Sequence, residues 1–119
     1  MKRRDEVILK KVLSEISVAE TMMEGRTLPD FLASEMLKRA VCMTVINIGE
    51  LVKNLSDECR AEDRSIPWKA IAGFRDITAH KYQTLKMEDV YQTVTEDFSG
   101  LSQSIHRLIE MSKGEGTSL

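Results

Sequence analysis

The chain has 119 residues, 42% of them hydrophobic and 30% charged, with only two prolines and six glycines. One domain with one modest core fits this length and composition, and a disordered or low-complexity chain does not. Seventeen Lys plus Arg against nineteen Asp plus Glu leave a formal charge of -2, so no overall basic field draws the molecule onto nucleic acid. Any such contact needs a local patch or an oligomer.

The two cysteines, Cys42 and Cys59, form no CxxC pair, which argues against a structural metal site or a disulfide scaffold. The N-terminus starts basic at Lys2, Arg3 and Arg4, but Asp5, Glu6, Lys10 and Lys11 break any apolar run before a signal sequence can form. The uncharged stretch from Ala40 to Gly49 is far below the roughly 20 residues that span a bilayer. The reading is a cytoplasmic protein with no membrane segment.

Ile8, Val12, Ile16, Ala19 and Met23 recur at steps of three and four, predicting a helix from about Arg3 to Glu24 that Gly25 ends. Thr27, Pro29 and Asp30 open a second helix with a capping hydroxyl, a first-turn proline and an acid at the positive end of the dipole. Here Leu37, Ala40, Val41, Met43, Thr44, Val45, Ile48, Leu51, Val52 and Leu55 cover more than one face, as in a central buried helix. Residues 57–64 are densely charged and read as a solvated connection or a frayed helix end. Ile66-Pro67-Trp68 restarts helix, predicting a short one to about Ala79 that buries Trp68, Ile71, Ala72 and Phe74 or Ile77. Met87, Val90, Val94, Phe98, Leu101, Ile105 and Leu108 predict a long terminal helix.

No segment alternates with the period of a half-buried strand. The expected fold is therefore all-α, an up-and-down helical bundle of four to five helices, with a single domain over residues 1–112 and a flexible tail over 113–119. The seven methionines read as core packing, Tyr91 as half-buried and structural, and His106 as a surface residue.

The unusual feature is Gly73-Phe74-Arg75-Asp76-Ile77-Thr78-Ala79-His80-Lys81-Tyr82, where Arg, Asp, His and Tyr gather at the end of the short helix. Arg75 and His80 diverge by about 140° on an unbroken helix and converge only if the helix ends or tightens near Ala79. Asp76 and His80, at i and i+4, share a face. From Ser65 to Lys86, four cations (Lys69, Arg75, Lys81, Lys86) stand against Asp76, a local +3, whereas residues 87–110 carry -4. The same residues also admit a plain structural account, with Arg75 and Asp76 as an exposed ion pair and His80 capping its helix. Gly49 inside the central helix costs about 1 kcal/mol relative to Ala, which signals close approach of the short motif helix or of a second subunit. Glu50, next to it in an apolar helix, needs a partner if buried, either the motif arginine or a backbone donor.

Arg75, His80 and Tyr82 fill an Arg-x4-His-x-Tyr pattern that resembles the signature of the HEPN superfamily, specifically its HepT-like toxins. Ile48-Gly49-Glu50, Ile66-Pro67-Trp68, Ile71-Ala72-Gly73, Asp76 and the helix over Val90–Leu101 extend the likeness over roughly Arg3–Ile109. The resemblance implies a metal-independent ribonuclease toxin controlled by a nucleotidyltransferase antitoxin, with Tyr82 as the residue that accepts AMP. Arg75 and His80 are then the catalytic pair, Asp76, Tyr82 and Glu50 support them, and Lys69, Lys81 and Lys86 contact RNA.

Residue chemistry is compatible with those roles. Cleavage by the ribose 2'-hydroxyl needs one proton taken, another given and charge on phosphorus stabilised, which suits an imidazole and a planar guanidinium. One chain offers one suitable His, so a homodimer that joins two motifs in one cleft supplies both acid and base. No metal and no cofactor is expected. The competing reading is a non-catalytic helical subunit that binds nucleotide or docks onto the nucleotidyltransferase.

Overall fold

The computed structural model describes residues 1–77 and 79–117, with the side chains of 79, 80 and 114–117 outside the description. Helix α1, Arg3–Met23, buries Ile8, Leu9, Val12, Ile16, Ala19 and Met23, which include all five residues of the predicted stripe. Gly25 ends the turn after it at φ 71, a left-handed conformation that glycine adopts without penalty.

The second predicted helix is cut in two. Helix α2, Leu28–Ala33, starts on a capping box in which Thr27 and Asp30 exchange side-chain and backbone hydrogen bonds. Ser34 then leaves the helical region, at φ -110 and ψ 105, and its hydroxyl accepts from Leu37 N–H to start α3, Glu35–Lys53. A serine that caps competes with one that continues a helix, and here the cap wins. Helix α3 is the central element and packs along α1, burying Val41, Cys42, Thr44, Val45, Ile48, Gly49 and Val52.

Residues 57–64 are more ordered than their charge suggests. Ser56 caps a short α4, Asp57–Ala61, whose Cys59 is buried. Trp68 Nε1–H donates to the carbonyls of Arg60 and Asp63, both at 3.0 Å, tying this connection to the start of α5, Trp68–Ala72. Helix α5 tightens into a 3-10 turn over Gly73–Asp76, and Ile77 is extended at ψ 107. The helix expected to reach about Ala79 thus ends earlier, and α6, Ala79–Tyr82, is a separate single turn. Trp68 and Ile71 are buried as expected, whereas Ala72, Phe74 and Ile77 are half-buried.

The terminal rod is α7, Met87–Gln92, a π turn over Thr93–Asp97, and α8, Phe98–Thr117. Thr93 and Thr95 hydroxyls donate to the carbonyls of Asp89 and Tyr91, four residues back. Such back-bonding competes with the regular ladder and accompanies its widening. Val90, Val94, Phe98, Ile105 and Leu108 are buried across this irregularity, so the three-to-four spacing survives it. Helix α8 continues past Lys113, where the sequence suggests a tail.

The class is all-α, with no strand among the described residues, and the four to five expected rods appear as eight α segments. Among the described residues no helix is long and apolar enough to cross a membrane. The methionine expectation holds in part: Met23 is in the core and Met22 and Met87 pack against it, whereas Met1, Met36, Met43 and Met111 are exposed, Met36 at 84%. Tyr91 is half-buried beside Phe31, with ring centroids 6.0 Å apart, and His106 is exposed.

One buried carboxylate escaped the sequence. Asp5, 2% exposed, accepts from Ser56 N–H at 2.9 Å and from the Ser56 hydroxyl at 2.7 Å, joining the first turn of α1 to the cap of α4. Asp5→Ala strands both donors and is expected to lower unfolding free energy by about 2–3 kcal/mol. Asp5→Asn, which keeps an acceptor oxygen, should cost less. Urea melts followed by circular dichroism give the order, and equal midpoints for the two variants would contradict this linkage.

Candidate active site

The motif segment is held in place by one missing side chain. A Cβ built on Gly49 would lie 2.5 Å from Arg75 N, 3.0 Å from Phe74 Cβ and 3.1 Å from the Ile71 carbonyl oxygen. The 3-10 turn therefore lies directly on α3, backbone against backbone. Of the two partners the sequence left open for Gly49, the contact within the chain is the motif helix.

Arg75, with 37% of its side chain exposed, is flanked by two carboxylates. Its Nη1 is 3.5 Å from Glu50 Oε1 and its Nε is 3.9 Å from Asp76 Oδ1. Glu50 thus pairs with the motif arginine, but its side chain is 54% exposed, so the burial argument for that pair does not apply. Both ion pairs are long and open to water, which makes them weak and easy to exchange for another anion.

Tyr82, at the end of α6, meets the other end of α3. Its hydroxyl donates to Glu35 Oε2 at 3.0 Å, and the Arg39 guanidinium lies over its ring, 4.8 Å from the centroid. Glu35 is also held by Lys38 Nζ at 3.1 Å and Arg39 Nε at 3.1 Å. Partial desolvation, then the Glu35 hydrogen bond, hold the Tyr82 hydroxyl above its ordinary pKa. The Lys38 contact, followed by that from Tyr82, holds the Glu35 carboxyl below its ordinary value. Glu35 and Glu50 are fifteen positions apart, about 22 Å of helix rise, so α3 spaces the Arg75 and Tyr82 ends of the motif rather than gathering them at one point.

His80 belongs to α6, but its side chain lies outside the described residues, and with it any pairing to Asp76 or Arg75. Lys69, Lys81 and Lys86 are exposed. Glu35, Lys38 and Arg39 are the residues that sequence reasoning missed. Glu35 and Arg39 stand at the i, i+4 spacing of a helix pair, but nothing local signals a tyrosine 47 positions away.

Among the described residues the elements are all helical, and the central helix α3 pairs with Arg75 and with Tyr82, an arrangement that suits a HEPN-type bundle. Residues 12–108 match the HepT-like family, described as ribonuclease HepT-like, and the chain belongs to that family. A protein of Caldanaerobacter subterraneus subsp. tengcongensis named "Putative RNase" is 30% identical over 105 residues, covering 88% of this chain and 94% of that one. A Methanocaldococcus jannaschii protein named "Gamma-glutamylcyclotransferase and putative RNase" is 32% identical over 92% of this chain and 50% of its own length. A Thermococcus cleftensis protein named "Probable ribonuclease HepT" is 28% identical over 91% of this chain and 98% of its own. No solved structure matches.

Both cysteines are buried and unpaired. Burial pushes the thiol of each up to about 11, with Asp5 adding to the effect at Cys59. At pH 8 only about one thiol in a thousand is then ionised. A disulfide-exchange reagent should titrate both thiols quickly in denaturant and much more slowly in the native protein. Rapid native reaction would contradict their placement.

Gly49→Ala tests the seat of the motif. A Cβ 2.5 Å from an immovable backbone nitrogen puts the overpacking cost at the upper end of the usual range, about 3 kcal/mol, and better helix propensity returns only about 1 kcal/mol. The net expectation is a lower urea midpoint with helical content retained. A variant as stable as the parent would mean that the two backbones are further apart than described.

Proposed function

We propose that this protein is a metal-independent RNA endonuclease that acts in the cytoplasm as a homodimeric toxin, controlled by a nucleotidyltransferase antitoxin that transfers AMP to Tyr82. The observation that carries the nuclease reading is Arg75. It sits on the open face of α3 between two long, exchangeable ion pairs, in a chain of the HepT-like ribonuclease family. Glu50 and Asp76 pre-orient the guanidinium without burying it, so a phosphate can take it over as a forked hydrogen-bond donor.

In this reading the ribose 2'-hydroxyl attacks the adjacent phosphorus, a new O–P bond forms and the bond to the 5' oxygen breaks. His80 takes or gives a proton, Arg75 stabilises charge on the phosphoryl oxygens, and Asp76 positions one or both. Lys69, Lys81 and Lys86 attract the RNA backbone. One chain supplies one motif histidine, so acid and base come from two copies related by a two-fold axis.

The exposed face of α3 suits that pairing. Met36, Met43, Asn47 and Glu50 fall within about 60° on an ideal helix, with Met36 84% and Met43 57% exposed. Arg75 and Tyr82 flank this face through Glu50 and Glu35. A second copy laid on it would remove the methionines from water and bring two motifs together.

Protein made without its antitoxin and incubated with cellular RNA in chelator should leave 2',3'-cyclic phosphate and 5'-hydroxyl ends. Arg75→Ala and His80→Ala should each reduce cleavage at least 100-fold while circular dichroism stays helical. Cleavage retained by both variants would remove the assigned chemistry. Wild-type protein that binds nucleotide but cuts no RNA would favour the non-catalytic subunit instead.

A further inference from the structure

Two charged side chains in the first turns of α3, Glu35 and Arg39, meet the Tyr82 phenol, and a third, Lys38, joins them through Glu35. Glu35 Oε2 accepts from the Tyr82 hydroxyl at 3.0 Å and from Arg39 Nε at 3.1 Å, while Glu35 Oε1 faces Lys38 Nζ at 3.1 Å. Arg39 also covers the ring. The side chains of Glu35 and Arg39 are 61% and 63% exposed. Pairs so wet contribute little to folding, yet together they fix the direction of a hydroxyl that an approaching enzyme can reach.

We infer that Glu35 is the proton acceptor, and Lys38 and Arg39 the phosphate clamp, of a nucleotidyl acceptor site whose nucleophile is the Tyr82 hydroxyl. This rests on the reading that Tyr82 receives AMP. The nucleotidyltransferase delivers a nucleoside triphosphate. The Tyr82 oxygen bonds to the α-phosphorus, the bond from that phosphorus to the bridging oxygen breaks, and pyrophosphate leaves. The phenolic proton passes to Glu35 and from there to solvent. A phenol that is neutral at physiological pH is a poor nucleophile, but its proton becomes strongly acidic as the O–P bond forms. Even a carboxylate whose basicity Lys38, Arg39 and the phenol itself have reduced can then accept it. Cys42, which also faces Tyr82, is a buried thiol and takes no part.

The product is accommodated by the same residues. Before transfer Glu35, Lys38 and Arg39 sum to +1. The phosphodiester brings one negative charge and abolishes the hydroxyl donor to Glu35, so the cluster becomes neutral. Lys38 and Arg39 can turn from Glu35 to the new phosphate. Modification thus removes a positive spot from the face that RNA would use, as well as filling it.

The test uses the full chain, a nucleotidyltransferase of the proposed antitoxin kind and magnesium ATP, with intact mass and peptide mapping as readouts. Wild type should gain AMP on Tyr82. Glu35→Gln should slow the gain about 100-fold, and its rate should rise with pH, whereas the wild-type rate is flat from pH 6 to 8. Glu35→Asp should restore part of the rate, and Lys38→Ala with Arg39→Ala should slow transfer with little change in pH profile. Ultraviolet titration in a Tyr91→Phe background checks the contact itself, because Glu35→Gln should lower the Tyr82 transition. Equal transfer rates and pH profiles for wild type and Glu35→Gln would overturn the inference while leaving Tyr82 as the modified residue. An unchanged phenol titration would also overturn it. No AMP on wild-type Tyr82 would remove the modification reading and this inference together, and the RNA end analysis would still decide the nuclease reading.

Discussion

The arrangement depends on the absence of one methyl group. At Gly49 the backbone of α3 meets the backbone of the 3-10 turn, and Arg75 N occupies the space a Cβ would need. Glycine in mid-helix sacrifices about 1 kcal/mol of helix propensity. In exchange the polar segment that carries the motif rests on the most buried helix of the fold instead of standing off it by a side-chain diameter. The adjacent residue, Glu50, then lies within 3.5 Å of Arg75. Close approach and ion pairing at neighbouring positions therefore specify the same docking, one by shape and the other by charge.

The same helix acts as a ruler. Glu50 holds Arg75 near its C-terminal end and Glu35 holds Tyr82 near its N-terminal end. Between them the 3-10 turn gives way to the extended Ile77, which separates the turn that carries Arg75 from α6, which carries Tyr82. The two ends of the motif therefore meet α3 from two separate elements and not from one continuous helix.

The apolar stripes of α1 and of the terminal rod were legible because burial on one face leaves a period in sequence, and that period survives local defects such as the π turn. The Thr27 cap and the Gly25 stop were legible because each acts within a few residues. Ser34 was not, since a serine inside a periodic run carries no mark that separates a cap from a continuing turn. The Asp5–Ser56 and Glu35–Tyr82 contacts were not, because they join residues far apart in sequence. Met43 misled for another reason: it lies in a helix with apolar residues on more than one face, but at no helical step from Val41, Val45, Ile48 or Val52, and it faces outward. Periodicity detects a face, and it does not tell what covers that face.

The exposed methionines and the long ion pairs of Arg75 have a common physical meaning. A lone chain that leaves Met36 and Met43 in water forgoes the burial free energy of two large side chains, and one whose arginine is satisfied only at 3.5 and 3.9 Å leaves the guanidinium available. Neither feature strengthens the monomer. Both become favourable when something apolar covers the face and something anionic reaches the arginine, and a second copy with a strand of RNA between the motifs satisfies the two demands at once. Nucleotide on Tyr82 would act at the other end of α3, away from Arg75. It would place a phosphate on the side of α3 where the cations Lys38 and Arg39 stand, so under the proposed function a competitor for the RNA backbone would become a covalent part of the surface.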